Sequence, residues 1–113
     1  MTGSKISKLK GFMPKHEGAA LTKWSEEFSS IGPIMEIGSY CGKSAIYLSK
    51  GAILNDQLVY TIDHHFGSEE HQINEEYFDN EIFDYKNQRV NTLPLLIKNI
   101  NKMQVKNIVP IIS

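Results

Sequence analysis

The chain has 113 residues, of which 41% are hydrophobic and 10% aromatic, and its 12 Lys and Arg nearly balance 13 Asp and Glu. This composition is typical of a single globular domain and excludes a two-domain protein and a disordered chain. A formal charge of -1 argues against nucleic acid or an anionic membrane as a partner, and no apolar run approaches the about 20 residues that span a bilayer. There is no readable secretory signal and no second cysteine to pair with Cys41, so we expect a cytoplasmic protein.

Residues 1–13 are predicted to form a flexible N-terminal arm, because Ile6 and Leu9 are too sparse there to bury much surface. The domain itself is predicted to span residues 14–113. It opens with a helix whose apolar residues recur at helical spacing and are expected to face the core. These residues are Leu21, Trp24, Phe28 and Ile31.

Strands and helices alternate through the rest of the chain. Apolar runs predict strand one at 33–38, strand two at 58–63 and strand three at 107–113, with helices at 43–50 and 92–103 between them. This order predicts an α/β fold, a Rossmann-like parallel sheet with flanking helices and right-handed crossovers. Strand two is nearly all apolar or β-branched, which predicts helices on both faces of the sheet. Pro110 cannot donate a ladder hydrogen bond, so we expect strand three at a sheet edge.

The turn after strand one has the composition of a ligand-binding loop. Residues 36–44 read EIGSYCGKS, and open α/β sheets bind ligands at such turns, outside the carboxyl ends of their strands. Gly38 lets the backbone turn without a Cβ, Gly42 permits close approach of a ligand, and the helix N–H groups that follow attract an anion. The glycine spacing differs from that of a phosphate-binding P-loop and from G-x-G-x-x-G. A carboxylate at Glu36 would repel phosphate and attract an ammonium group.

A second carboxylate, Asp63, lies at the predicted end of strand two. A carboxylate at this point can accept hydrogen bonds from both hydroxyls of a ribose. Glu36 and Asp63 together therefore predict a ligand with an amino-acid head and a ribosyl tail, and S-adenosylmethionine is such a ligand.

The stretches EIGSYCGKSAIYLSK and VYTIDHHFGSEEHQ resemble the first two motifs of class I S-adenosylmethionine-dependent methyltransferases, particularly the small-molecule branch. The resemblance runs from about residue 18 to residue 113. It implies methyl transfer from S-adenosylmethionine to a small-molecule acceptor, with Glu36 holding the methionine amino group, Asp63 the ribose and His64 beside the adenosine. The residues implied to line the cofactor loop are Gly38, Ser39, Tyr40 and Gly42.

Further residues of the two motifs could take part in the site. The resemblance implies that Ser44 adds a hydroxyl to the cofactor site at the start of the helix, and a simple helix cap is the alternative role. The resemblance assigns no catalytic base, and His65 and His71 are candidates. Cys41 lies at a helix N-terminus, which lowers a thiol pKa, but a small packing residue is the preferred interpretation.

Members of this family continue beyond a third strand. We therefore expect the chain to correspond to the N-terminal half of such a domain, truncated after strand three. With strands in the order three, two, one, the far edge of strand one would be bare. Its apolar residues Ile34, Met35 and Ile37 are then expected to promote self-association.

Two alternatives remain open. Asp63-His64-His65 also matches the triplet of the DHH phosphoesterases, and His71 with Glu69 and Glu70 would complete a metal site there. We nevertheless predict no metal, because strand one offers only Glu36 where that family also uses aspartates. The second alternative is a non-catalytic module that binds a cofactor or a partner. The acidic, aromatic segment between Asp63 and Asp84 is either a lid over the acceptor or a solvated excursion packed on the sheet.

Overall fold

The structure, a computed structural model, describes residues 3–68, 71–76 and 78–113. Its helices are α1 (Gly3–Ser7), α2 (Lys15–Phe28), α3 (Lys43–Ala52) and α4 (Leu93–Lys102). Its strands are β1 (Ile34–Ile37), β2 (Val59–Asp63), β3 (Phe83–Asp84), β4 (Arg89–Val90) and β5 (Ile108–Ile112). Strands one, two and three of the sequence prediction correspond to β1, β2 and β5, and each lies within its predicted range.

Three strands form a parallel sheet in the order β1-β2-β5. In this register Val59 lies beside Ile34 on one side and beside Ile108 on the other. The predicted strand order and the prediction of an α/β fold with helices flanking a parallel sheet are confirmed. Among the described residues, no helix has the length and apolar character needed to cross a membrane.

Pro110 lies on an edge strand, as predicted. The ladder bonds on either side of it, from Val59 N to Asn107 O at 2.8 Å and from Ser113 N to Asp63 O at 3.1 Å, fix the alternation along β5. Because alternate residues of a strand direct their N–H groups to opposite sides, the nitrogen of Pro110 faces the outer edge. The proline therefore removes a donor from that edge without removing a bond from the ladder.

The core lies on one face of the sheet. Ile6, Ile46, Tyr47 and Met103 form a buried cluster against which Ile108 packs. Val59 and Thr61 of β2 are fully buried on that face. Met35 and Ile37 of β1 lie on the opposite face and are 65% and 83% exposed. The prediction of helices on both faces is therefore wrong for the described residues, whose helices cover one face.

Helix α2 contacts α3 through small residues rather than through its large apolar ones. A Cβ on Gly18 would lie 2.3 Å from the Tyr47 ring, and one on Gly51 would lie 2.0 Å from Ser25 Oγ. This close approach turns the larger residues Trp24, Phe28 and Ile31 outward, where they are 53–84% exposed. The prediction that these three face the core is wrong.

The N-terminal arm is packed against the domain. Ile6 and Leu9 are both buried in the main cluster, so the prediction that they bury little surface is wrong. Lys43 Nζ donates to the carbonyl of Ser7 at 3.0 Å, and Lys10 forms ion pairs with Asp79 and, at 3.0 Å, with Glu81. These contacts attach the arm to α3 and to the segment that follows β2.

The long segment between β2 and α4 folds back onto the domain. β3 and β4 pair as a short antiparallel ladder, and Ile82, Phe83 and Val90 form a second buried cluster with Cys41. Residues 69, 70 and 77 lie outside the described residues. The aromatics of this segment thus contribute packing, while its acidic residues Asp79 and Glu81 face Lys10.

Candidate functional site

The loop between β1 and α3 is shaped by three residues with left-handed backbone conformation. Their φ angles are +95° at Gly38, +49° at Tyr40 and +92° at Gly42. A Cβ on Gly38 would meet nothing within 4 Å, whereas one on Gly42 would lie 2.5 Å from Leu96 Cδ1 of α4. Gly42 was expected to permit the approach of a ligand, but the space beside it is filled by α4.

A chain of hydrogen bonds links the end of β1 to the loop. Thr61 Oγ1 donates to Glu36 Oε1 at 2.7 Å and lies 2.5 Å from Ser39 Oγ. Ser44 Oγ donates to the second carboxylate oxygen, Glu36 Oε2. The N-cap residue of α3 is Gly42, which makes no side-chain cap bond, and the hydroxyl of Ser44 orients Glu36.

Glu36 is largely withdrawn from water. Burial raises the pKa of its carboxyl, and nearby Asp63 raises it further, while the hydroxyls of Ser44 and Thr61 oppose this shift. A carboxylate in this state gains from any cation that reaches it, because a positive charge restores the stabilisation lost with water. Whether a cation reaches Glu36 is the point that the ammonium prediction leaves to experiment.

Asp63 lies at the carboxyl end of β2 and holds the loop. Its Oδ2 accepts from Tyr40 N and its Oδ1 from His65 N, both at 2.9 Å. Burial alone would raise the pKa of Asp63, but these two N–H groups outweigh it and hold the pKa below its ordinary value. Each carboxylate oxygen keeps a second lone pair, so the charged group can still accept hydrogen bonds from ligand hydroxyls.

His64 follows Asp63 and presents a half-exposed ring. Its Nδ1 accepts from Phe66 N at 2.9 Å, which leaves the proton on Nε2 in the neutral form. The ring stacks on Phe66 with centroids 5.6 Å apart, and the guanidinium of Arg89 lies 4.3 Å from the Phe66 centroid. The other face of His64 is thus available as a flat platform beside Asp63.

A cavity of about 400 Å³ opens beside the loop. Gly38, Ser39, Tyr40 and Ser44, four of the predicted cofactor residues, line it. The remaining lining residues are Gly11, Phe12, Met13, Glu17, Lys43 and His71. Glu36, Gly42, Asp63 and His64 do not line it, so the structure divides the predicted set between the cavity and the adjoining ends of the strands.

An aromatic contact closes one side of the cavity. The Tyr40 ring lies 5.5 Å from the His71 ring and 5.7 Å from the Phe12 ring, and Phe12 and His71 are 6.4 Å apart. These rings join the loop, the segment after β2 and the N-terminal arm. Sequence reasoning missed Phe12, since nothing in the arm's spacing indicates that it reaches the loop. Thr61 could have been found, because it shares a strand face with Asp63.

The two candidate bases, His65 and His71, each have Nδ1 in a hydrogen bond. His71 Nδ1 accepts from Ser68 N at 3.2 Å and lies 2.9 Å from Ser68 Oγ, which makes its Nε2 a donor in the neutral form. His65 is buried, with Nδ1 2.6 Å from Thr92 Oγ1 and no partner at Nε2 among the described residues. Burial lowers the pKa of His65. Thr92 directly precedes α4 but makes no side-chain cap bond, since its hydroxyl contacts His65. Asn91 Oδ1 accepts from Leu93 N at this helix start.

Cys41 and the remaining histidines and acidic residues form neither a nucleophile nor a metal cluster among the described residues. Burial raises the pKa of the Cys41 thiol to about 12, so this cysteine lacks the thiolate character of a nucleophile. Among the described residues no three His, Cys, Asp or Glu side chains converge as a metal site, while Glu69 and Glu70 lie outside them. His64 and His65 face different surroundings, one on Phe66 and one on Thr92.

No protein-family model matches the sequence.

Proposed function

We propose that this chain binds S-adenosylmethionine in a Rossmann-like α/β domain and transfers its methyl group to a small-molecule acceptor, like the class I methyltransferases that it resembles. The observation that carries the proposal is the joint attachment of two carboxylates to one loop. Asp63 holds the loop through Tyr40 N, and Glu36 reaches it through Thr61 and Ser39. Two carboxylates on one turn suit a ligand with an ammonium group and a vicinal diol.

The proposed cofactor position follows from these contacts. The methionine part would lie along Gly38 and Ser39, with its amino group attracted by the carboxylate of Glu36. The ribose hydroxyls would donate to Asp63, and the adenine would stack on the free face of His64. The rest of the cavity, at Phe12, Met13 and His71, is left for the acceptor.

Methyl transfer places few chemical demands on such a site. The acceptor's lone pair forms a bond to the methyl carbon as the carbon–sulfur bond breaks, and that electron pair goes to sulfur. Holding the two reactants in line supplies most of the acceleration. We assign no catalytic residue. His71 cannot remove a proton from the acceptor through Nδ1, because this nitrogen accepts from Ser68 N.

One observation favours a second candidate, a cofactor-binding module without transferase activity. Nδ1 of His71, the candidate base that lines the cavity, already accepts from Ser68, so this nitrogen is not open to a proton of the acceptor. A methyltransferase whose acceptor needs no deprotonation would share this property. Binding and turnover must therefore be measured separately.

Calorimetric titration with S-adenosylmethionine, S-adenosylhomocysteine, ATP and Mn²⁺ tests the proposal. We expect the first two to bind and the last two to give no heat. Asp63→Ala should weaken binding of S-adenosylhomocysteine by about 1–3 kcal/mol, because the ribose hydroxyls lose a charged acceptor. Glu26→Ala, an exposed change on α2, is the matched control. Preferential binding of ATP or Mn²⁺, or equal affinity in the Asp63 variant and the parent, would rule the assignment out.

A further inference from the structure

Residues 10–12 cross from the main cluster to the cavity beside the loop, and we call them the strap. Leu9 is buried in that cluster before the strap, and Met13 packs against the same cluster after it. Between these two anchors the backbone of Gly11 lies on the Lys43 side chain, where a Cβ would be 3.0 Å from Lys43 Cδ. The strap is therefore a short bridge over the first residue of α3.

Burial alone does not hold the strap in place. Phe12 contacts the rings of Tyr40 and His71, yet it is 71% exposed, so these contacts remove little of its surface from water. Gly11 and Phe12 line both the cavity beside the loop and a second cavity of about 540 Å³. The strap thus forms a partition with space on either side, and it has room to move away from the loop.

The ion pairs of Lys10 attach the strap to the segment after β2. The ammonium donates to Asp79 and lies 3.0 Å from a carboxylate oxygen of Glu81. Burial alone would lower the pKa of Lys10, but the hydrogen bonds to the two carboxylates outweigh it and raise that pKa. Hydrogen bonding to Lys10 lowers the pKa of Asp79. Both groups therefore stay charged at neutral pH, and salt screens a partly buried pair less than an exposed one.

We propose that Lys10 is a positioning residue of the proposed binding site: its ion pairs with the segment after β2 hold the strap closed, so that Phe12 forms a wall against a ligand in the cavity. A ligand that contacts Phe12 from inside the cavity binds the closed strap better than the open one and shifts the strap towards closure. The inference rests on the proposed function for the identity of that ligand.

The ring contacts of Phe12 report the position of the strap without a ligand. We expect nuclear Overhauser effects between the ring protons of Phe12 and Tyr40 in the parent chain. Lys10→Met, which keeps the length of the side chain and removes its charge, should lose most of their intensity, and Lys10→Arg should keep it. Lys8→Met is the matched control, since it makes the same change at an exposed residue of the arm. Equal intensity in Lys10→Met and Lys8→Met, or no such effect in the parent, would overturn the proposal.

Removing the charges on the other side of the ion pairs is an independent test. Asp79→Asn combined with Glu81→Gln should open the strap as the loss of the lysine charge does. The amide oxygen introduced at position 79 can still accept from the backbone N of residue 81, so the local turn is kept. Glu75→Gln combined with Glu76→Gln, at exposed positions of the same segment, should leave the strap closed. If both double variants open it equally, the net charge of the segment holds the strap and the assignment to Lys10 is wrong.

Calorimetry with S-adenosylhomocysteine connects the strap to the site. If Lys10→Met leaves the strap closed in about one molecule in five, its affinity for this ligand should fall about fivefold. Lys10→Arg should restore the affinity, and Lys8→Met should bind like the parent. Equal binding by the parent and Lys10→Met would show that the strap does not control the site, and the proposed function would stand without this inference. If the ligand binds no form of the chain, the proposed function fails, and the ring contacts alone decide whether Lys10 closes the strap.

Discussion

Burial and hydrogen bonding shift the pKa of the Glu36 carboxyl in opposite directions. Burial raises its pKa above the ordinary value of 4.5, and the Ser44 and Thr61 hydroxyls only partly offset it. The folded protein therefore binds more protons at this group than the unfolded chain does. The contribution of Glu36 to stability is fully present below pH 4.5 and declines as the pH rises through its folded pKa.

This linkage gives a prediction for Glu36→Gln. The amide removes the buried charge and can keep one accepted and one donated hydrogen bond. The stability of the variant relative to the parent should therefore rise as the pH increases above 4.5. Urea denaturation of both proteins at a series of pH values measures the difference, with Glu26→Gln on exposed α2 as the control. If the stability difference between variant and parent does not change with pH, or falls as the pH rises, folding does not raise the pKa of Glu36.

Gly38 provides a second residue-scale prediction. Its φ of +95° strains any residue with a Cβ, although space is open around it. Gly38→Ala should lower the free energy of unfolding by about 1–2 kcal/mol. Gly38→Val should be worse and should also abolish S-adenosylhomocysteine binding. Gly32→Ala is a well-matched control, because Gly32 also has open space but no positive φ. If both alanine variants lose a similar free energy of unfolding, the positive φ at Gly38 is not the cause of the loss.

Site residues could be predicted from the sequence where chain position alone determines their location. Glu36 and Asp63 follow from their places at the ends of predicted strands, and both lie at the loop. Gly42 and Ser44 could be assigned to the loop but not to their roles. Those roles depend on Leu96 and on the carboxylate of Glu36, and loop spacing contains no information about either contact.

At the scale of elements, α1 and the residues after it belong to the core. Two apolar residues in a polar arm give a weak signal, yet Ile6 is fully buried against Ile46, Tyr47 and Met103. The arm also forms one wall of the cavity through Phe12 and Met13. Its attachment is therefore part of the architecture of the proposed site.

Ile6→Ala tests this role of the arm. Removing a fully buried isoleucine side chain should lower the free energy of unfolding by about 2–4 kcal/mol, from lost burial and the cavity left behind. Lys8→Ala, an exposed change just beyond α1, should have little effect. Chemical denaturation measures both. A loss below about 0.5 kcal/mol for Ile6→Ala would mean that the arm is frayed in solution and that the sequence prediction of a loose arm was right.

Helix α2 shows what periodicity leaves undetermined. The spacing of Leu21, Trp24 and Phe28 correctly predicts a helix, but it does not identify the neighbour against which the helix packs. Gly18 and Gly51 permit an approach that large side chains would prevent. The small residues therefore face α3, and Trp24 and Phe28 are exposed.

At the scale of the whole molecule, the sheet has two unlike faces. Alternation along the strands places Ile34, Val59 and Ile108 under the helices and Met35, Tyr60 and Val109 on the other face. Both sets are apolar or aromatic, so the sequence alone predicted two covered faces. The three strands of the parallel sheet and their order could be predicted because each is a separate apolar run, whereas the two-residue strands β3 and β4 are too short to show a pattern. Which face is covered depends on where the helices pack, and the strand sequences do not record that.

Two valines on neighbouring strands make this asymmetry measurable. Val59 is fully buried beneath the helices, whereas Val109, which pairs with Tyr60, is only half-buried on the other face. Val59→Ala should lower the free energy of unfolding by about 2–3 kcal/mol, because two buried methyl groups are lost and a cavity remains. Val109→Ala should cost less than about 1 kcal/mol, since its methyl groups are already partly in water. The same substitution in the same sheet removes the difference of residue type from the comparison. If the two variants lose equal stability at concentrations where the chain is monomeric, the second face is covered and the one-sided sheet is wrong. If the loss at Val109 grows only as the concentration rises, that face is covered by association.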